Sequence, residues 1–271
     1  MNLGLLGEKL SHTYSPSIHN LALKIINTPC NYQIFERKKE DIGALVAELK
    51  NNNLSGFNIT IPYKIEIIKY LDEVSEEVKK IGACNTVMKK DNKIIGYNTD
   101  YFGLKATVEK IGAKVEGQKV VILGTGGASL ASIELFLDLE VEEIYLFKRE
   151  EDLFHNTKEK VKICSYSELK NIKDAILIVN CTPVGMYPNI NDCLVSKELI
   201  KNYEYAIDLI YNPKETLFLQ YARENNLKYS NGLYMLVLQA LKADELWTGK
   251  NFNKEEVEFI YNEIENLVYK E

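Results

Sequence analysis

Lys119-Val-Val-Ile-Leu123-Gly124-Thr125-Gly126-Gly127-Ala128-Ser129 is the stretch whose reading decides the fold. Its first five residues read as a short strand, and Leu130, Ile133 and Leu137 then recur at helical spacing. Between strand and helix, a first glycine permits a tight bend and a second lets the backbone approach a pyrophosphate. The N–H groups at the helix start then hold the negative charge. Gly124 and Gly126 occupy those two places, and Ser129, in the third, is small enough for close helix–strand packing. A glycine turn with no ligand is the alternative. The placement between a strand and an amphipathic helix favours a dinucleotide over it.

The end of the next strand selects the cofactor, because an acid there bonds a ribose 2′-hydroxyl whereas arginine accepts a 2′-phosphate. Phe147-Lys148-Arg149 comes first and Glu150-Glu151-Asp152 follows at once. Lys148 and Arg149 favour NADP. The three acids leave NAD possible, or simply face solvent.

Outward from this stretch the chain alternates strand and helix. Residues 3–6 and Tyr32–Phe35 read as strands, Ser15-Pro16 as a capped helix start, and Asp41–Asn51 as a helix. Phe57–Ile61 alternates apolar and polar residues like a half-buried strand that Pro62 ends. Further strands are expected at Ile144–Phe147, Ile176–Val179 and Ala206–Ile210. Two helices close the chain, the second with Val257, Ile260, Ile264 and Leu267 on one face. This pattern predicts an α/β fold with largely parallel sheet flanked by helices, and 271 residues suit two domains.

Composition excludes several classes. A net charge of -6 argues against nucleic acid as a partner. The five cysteines, Cys30, Cys84, Cys164, Cys181 and Cys193, contain no C-x-x-C pair and fit reduced thiols. His12, His19 and His155 lack metal-ligand spacing, and His19 reads as a packed or half-exposed helix residue. No apolar run approaches a membrane span, and the run in Met1–Gly7 is too short for a signal peptide, so a cytoplasmic protein without membrane contact is expected.

The chemistry is carried by three polar segments: Asn58-Ile-Thr60-Ile-Pro-Tyr-Lys64, Gly82-Ala-Cys-Asn85-Thr86 and Asn98-Thr-Asp100. They supply a lysine, a carboxylate and several neutral hydrogen-bonding groups. Alternation puts Asn58 and Thr60 on one strand face with Lys64 just beyond. The ordinary alternative is that Lys64 and Asp100 are surface charges. Set beside the glycine turn, the segments suggest hydride transfer to a small, hydroxyl-rich molecule.

Over nearly its whole length the chain resembles the shikimate dehydrogenase family. The motifs run in order: Thr13-Tyr-Ser15-Pro16, the N-x-T-x-P-x-K segment at 58–64, G-A-x-N-T at 82–86, N-T-D at 98–100 and the glycine turn. Asn180-Cys-Thr182-Pro-Val-Gly185-Met186, Asp208-Leu209-Ile-Tyr211-Asn-Pro213 and Asn231-Gly232-Leu-Tyr-Met235-Leu236 with Gln239 follow. The resemblance implies reversible NADP-dependent reduction of 3-dehydroshikimate to shikimate, a step toward aromatic amino acids. It implies Lys64 as acid/base paired with Asp100. Thr13 and Ser15 would hold the substrate carboxylate, and Asn58, Thr60, Asn85 and Gln239 its hydroxyls, with Tyr211 nearby. Gly124, Thr125, Gly126, Gly127, Ala128, Lys148, Arg149, Thr182, Leu209 and Gly232 would hold the cofactor. The expected substrate domain is residues 1–100 completed by C-terminal helices over 233–271, and the expected cofactor domain is 101–232, with a cleft between them. Monomer and homodimer both remain open.

Thr13 stands where the family usually has serine, Tyr101 where glycine is common, Thr125 for alanine, Glu150 for threonine or serine, and Asn231 for aspartate. Thr13 and Glu150–Asp152 leave room for a quinate/shikimate dehydrogenase using NAD. A non-catalytic metabolite-binding paralogue is a further alternative, against which the intact Lys64 and Asp100 speak. A dehydrogenase of unrelated small substrates on a similar fold is another.

Overall fold

Five of the six residues of β1 (Asn2–Gly7) are buried, because both faces of the strand are covered. Leu3 and Leu5 enter one apolar cluster and Leu6 the other, as the two-residue strand period requires. The computed structural model describes residues 1–10, 13–51, 53–150, 154 and 158–270. The chain divides into two units, Met1–Gly103 with Leu236–Glu271, and Leu104–Met235.

In the first unit β2 (Asn31–Glu36) and β3 (Gly56–Ile59) flank β1 in parallel. The sheet continues through β5 (Thr86–Lys90) and β6 (Lys93–Tyr97) to β4 (Glu73–Val74), in the order β2-β1-β3-β5-β6-β4. The sheet is largely parallel, as expected; β5 alone is reversed, running antiparallel to both β3 and β6. The two-residue turn Asp91-Asn92 joins β5 to β6 with both residues at positive φ, the backbone that suits a tight hairpin. No glycine marks that turn, so the hairpin escaped the sequence reading.

α2 (Ile42–Lys50) packs Ile42, Leu45, Val46 and Leu49 on one face of this sheet with Phe57, Ile67 and Val87. α1 (Ser15–Ile25) and α8 (Leu233–Thr248) contribute Leu23, Ala243 and Trp247 to the cluster around Leu3 and Leu5. α3 (Glu76–Ile81) and α9 (Lys254–Val268) complete this unit; on α9 Ile260 and Ile264 are buried whereas Leu267 is exposed. Ser15 does not cap α1. Tyr14 precedes the helix, Pro16 sits in its first turn, and the Ser15 N–H is taken by Thr13 Oγ1 at 3.2 Å. Nor is β3 half-buried. It stops at Ile59 and all four residues are covered, since it lies between β1 and β5, and Ile61 beyond it is 76% exposed.

The second unit begins within α4 (Asp100–Lys110) and ends within α8. Its sheet is parallel throughout, in the order β12-β11-β10-β7-β8-β9. The strands are β7 (Lys119–Leu123), β8 (Glu143–Lys148), β9 (Val161–Ser165), β10 (Ala175–Asn180), β11 (Tyr205–Asp208) and β12 (Lys228–Ser230). Counted from β7, this is the 3-2-1-4-5-6 order of the doubly wound dinucleotide-binding fold, reversing direction between β7 and β10. α5 (Gly127–Asp138), α6 (Lys197–Ile200) and α7 (Leu217–Glu224) are its remaining helices. β11 ends at Asp208, short of the expected Ile210, because the Asp208 carboxylate accepts the Ile210 N–H at 3.1 Å and turns the chain. No helix among the described residues is long and apolar enough to cross a membrane.

Gly56 shows how closely the first unit is packed. A Cβ there would lie 2.3 Å from Trp247 Nε1 and 2.6 Å from the Val87 carbonyl oxygen, the atoms that bond each other at 3.1 Å. Gly56→Ala is therefore expected to destabilise the protein by about 1–3 kcal/mol, the range for overpacking a close-packed site. Urea denaturation checks this, and an unchanged midpoint would show that Trp247 yields without cost.

Candidate active site

Beyond β3 the chain is tied at both ends of a short turn. The Thr60 N–H reaches the Leu6 carbonyl at 2.9 Å, the Tyr63 N–H reaches Thr60 O at 3.0 Å, and Lys64 O accepts from the Cys84 N–H at 2.7 Å. Buried Tyr63 anchors the turn further by donating its hydroxyl to Arg37 O at 2.7 Å. Lys64 is thereby held close to the strand that follows Asn85. Asp100 opens α4, where the helix dipole favours a carboxylate. Asn98 fixes that start by accepting the Tyr101 N–H at 3.2 Å and donating to Ala83 O at 2.9 Å.

These ties bring Lys64 Nζ to 2.6 Å from Asp100 Oδ2, with the two side chains 16% and 9% exposed. The alternative, that Lys64 and Asp100 are ordinary surface charges, does not hold for this pair. The other carboxylate oxygen, Oδ1, accepts from Asn85 Nδ2 at 3.0 Å, so both carboxylate oxygens are engaged. Asn85 also donates to Thr99 Oγ1 at 2.9 Å and to Gln239 Oε1 at 3.3 Å, while its own oxygen takes the Thr99 N–H at 2.7 Å. Gln239 Nε2 is used within α8, donating to Leu236 O at 2.9 Å. Asn58 joins through Thr86, to whose hydroxyl it donates at 3.0 Å. Lys64, Asp100, Asn58, Asn85 and Gln239 thus form one largely buried polar cluster in the first unit, and Thr60 lies just past the end of β3. Thr86 and Thr99 belong to it as well. Both lie inside the recognised motifs, but a threonine between stronger polar residues carries no signal of its own.

The Thr13 and Ser15 hydroxyls lie side by side at the start of α1, 3.2 Å apart, with Ser15 buried. Tyr211 belongs to the second unit, on the segment after β11. His19 is fully buried, with Nδ1 2.7 Å from Asp244 Oδ1, so it is a packed core histidine. Burial raises the Asp244 carboxyl, and the His19 partner opposes that rise. His12 and His155 lie outside the described residues, as do Glu151 and Asp152. Among the described residues no group of three or more His, Cys, Asp or Glu could hold a metal ion.

In the second unit the expected cofactor residues gather at the carboxyl ends of adjacent parallel strands. Gly124 follows β7, Lys148 ends β8, Thr182 lies just past β10 and Leu209 just past β11. Ligands of doubly wound sheets bind at that edge, beside the reversal of strand order. Gly124 has φ 103°, and a Cβ on it would lie 2.8 Å from the Thr182 methyl. At Gly126, the N-cap of α5, a Cβ would meet nothing within 4 Å and no side chain caps the helix. That open cradle at a twelve-residue helix start fits a pyrophosphate. A Cβ on Gly232 would be 2.0 Å from Leu209 O, so glycine is required there by packing alone. Ser129, the third position, is buried as close packing predicts. Lys148 turns back onto its own chain, donating to Arg149 O at 3.2 Å and Glu150 O at 3.4 Å, while Arg149 lies exposed.

One buried group holding this edge escaped the sequence reading. Asp208 accepts from Asn180 Nδ2 at 3.0 Å, from the Ile210 N–H and from Thr216 Oγ1 at 2.5 Å. Asn180 Oδ1 in turn receives both the N–H and the hydroxyl of Thr182. Asp208 lies within a quoted motif, but nothing in sequence spacing shows that it is buried or that it ties two strand ends together.

Comparison with known proteins places these observations. Residues 5–87 match the family model described as the shikimate dehydrogenase substrate binding domain. The chain is 42% identical over 263 residues to the shikimate dehydrogenase (NADP(+)) of Clostridium perfringens, covering 96% of this chain and 97% of that one. The solved shikimate dehydrogenase 1 of Peptoclostridium difficile superposes with a TM-score of 0.89 at 45% identity, over 97% of each chain. A shikimate 5-dehydrogenase of Listeria monocytogenes, solved in complex with shikimate and NAD, superposes with a TM-score of 0.88 at 28% identity, covering 97% of this chain and 96% of that one.

Burial pushes the Asp208 carboxyl up to about 7, against the three hydrogen bonds it accepts. The folded protein then binds more protons than the unfolded chain between about pH 4 and 7, so this group's contribution to stability is present below that window and lost as pH rises through it. Asp208→Asn, which cannot titrate, is expected to flatten the fall in stability by up to about 1.4 kcal/mol per pH unit. Urea midpoints at pH 5 and pH 7.5 for both proteins check this, and equal slopes would show that Asp208 stays ionised.

Proposed function

The chain belongs to the shikimate dehydrogenase family, and we propose that it catalyses the reversible NADP-dependent reduction of 3-dehydroshikimate to shikimate. The observation that carries the reading is the Lys64–Asp100 contact of 2.6 Å inside a cluster of neutral amides and hydroxyls. In this reading the first unit receives the substrate and the second the cofactor, with the enzyme acting in the cytoplasm. Gly124, Thr125, Gly126, Gly127 and Ala128 hold the pyrophosphate, Arg149 and Lys148 the 2′-phosphate, and Thr182, Leu209 and Gly232 complete the cofactor side. Bound there, NADP(H) would supply the hydride for the ketone carbon and would accept it in the reverse direction.

A ketone accepting hydride develops negative charge on its oxygen. Lys64 Nζ donates a proton to that oxygen, and in the reverse reaction receives one from the shikimate hydroxyl. Asp100 holds the ammonium through Oδ2 while Asn85 restrains Oδ1, so the lysine is positioned before substrate arrives. Asn58, Thr60, Asn85 and Gln239 meet the ring hydroxyls without adding charge. The adjacent hydroxyls of Thr13 and Ser15 donate to the substrate carboxylate.

NAD as cofactor, with quinate accepted, is a second reading. It is favoured by the NAD bound in the Listeria relative and by Lys148 being engaged with the Arg149 and Glu150 carbonyls. Initial rates of shikimate and quinate oxidation with NADP and with NAD separate the two. Preference for shikimate with NADP is expected; faster turnover with NAD would assign the adjacent acids the selecting role. Lys64→Ala is expected to lower kcat by about a hundred- to ten-thousand-fold, the range for positioned proton transfer, with the shikimate dissociation constant little changed. Near-normal turnover would remove Lys64 from the chemistry.

A further inference from the structure

Asn58 can face its neighbours in two senses, since turning the amide over exchanges its oxygen and nitrogen. One sense offers the substrate side an acceptor and the other a donor. Asn58 Nδ2 points to Thr86 Oγ1 at 3.0 Å and, more distantly, to Asn85 O at 3.5 Å. The threonine hydroxyl both donates and accepts, so it does not choose between the senses, and the carbonyl is too far to choose strongly. What chooses is on the other side, where the Tyr32 hydroxyl donates to Asn58 Oδ1 at 2.7 Å.

Tyr32 is buried on β2 and is itself held rigidly. The His19 ring stacks on it with centroids 4.4 Å apart and planes 11° from parallel. His19 is fixed in turn by Asp244 at 2.7 Å, and the Trp247 ring lies 5.5 Å from His19 on α8. Burial holds the Tyr32 phenol well above its ordinary range, and the neighbouring Ser15 hydroxyl opposes this only in part. The phenol therefore keeps its proton and has one hydrogen to give. Giving it to Asn58 Oδ1 sends Nδ2 toward Thr86, whose own hydrogen then passes to Asn85 Oδ1 at 3.2 Å. Donors run in one direction from Tyr32 to Asn85, and Asn85 donates to Asp100.

We propose that Tyr32 is a positioning residue for substrate binding, whose hydroxyl sets the sense of the Asn58 amide while its ring is clamped by the His19–Asp244 pair. The proposal rests on the reading that Asn58 meets a substrate hydroxyl. Tyr32 touches no substrate atom in this scheme and acts through Asn58, between it and Ser15.

The test is a double-mutant cycle on the full chain with Tyr32→Phe, Asn58→Ala and the pair together. Steady-state rates use shikimate and NADP, with melting temperature and the NADP KM followed in parallel. Turnover of shikimate by the unmutated protein establishes the underlying reading first, and its absence would overturn that reading itself. In an active enzyme, Tyr32→Phe is expected to raise the shikimate KM roughly three- to tenfold, the effect of one lost hydrogen bond. The kcat and NADP KM should stay close to those of the unmutated protein, with the melting temperature lowered by no more than about 2–4 °C per kcal/mol for the one buried hydrogen bond lost. In the Asn58→Ala background the same change should leave the shikimate KM unaltered, since the two residues act as one unit. An unchanged KM for Tyr32→Phe alone, an equal rise in both backgrounds, or a parallel loss of kcat, NADP KM and melting temperature would each overturn the proposal.

Discussion

Asp100 is the group around which the first unit has to be built. A carboxylate that is 9% exposed at its side chain must have its oxygens met, and it is met by an ammonium on one and an amide on the other. Each of those partners creates a further obligation. Asn85 must satisfy its own oxygen, which it does with the Thr99 N–H, and its extra hydrogen, which reaches Gln239. Asn98 must hold the helix start from which Asp100 projects. The polar cluster therefore ties β3, β5, α4 and α8 together through hydrogen bonds whose loss would leave a buried charge unpaired.

The second unit answers to a different constraint. Its parallel strands end along one edge, and the loops leaving that edge have to turn without burying bare backbone groups. Glycine solves the problem after β7, where φ 103° and the Thr182 methyl exclude a side chain. A carboxylate solves it after β11, where Asp208 gathers a backbone N–H and two side chains from neighbouring segments. The polar interior thus ties strand ends together in one unit and surrounds a lysine–carboxylate pair in the other.

Much of this was legible beforehand, and the physical reason differs from element to element. The glycine turn declared itself because Gly124, Gly126 and an apolar strand sit in a fixed local order. Lys64, Asn85 and Asp100 declared themselves as members of motifs, although nothing local says that they meet. The β5–β6 hairpin stayed hidden because Asp91 and Asn92 occupy positive φ without a glycine. The His19–Asp244 pair stayed hidden because its members are joined only by tertiary packing, 225 residues apart. Tyr32 had no signal either, for a tyrosine in an apolar strand reads as core until the acceptor at its hydroxyl is seen. Local order is written in spacing, whereas the partners of buried polar atoms are written only in the fold.

The first unit is made from both ends of the chain, Met1–Gly103 and Leu236–Glu271, with the whole second unit intervening. A ribosome delivers these parts far apart in time, and domains assemble as their chain emerges. The continuous segment Leu104–Met235 can finish its sheet while the first unit still waits for α8. Until Trp247 arrives, the groove at Gly56 and Val87 is open and the Val87 carbonyl lacks its indole donor. Premature termination before residue 247 would thus spare the nucleotide-type sheet and expose the apolar floor around Leu3 and Leu5, turning a short C-terminal deletion into a substrate for chaperones and proteases.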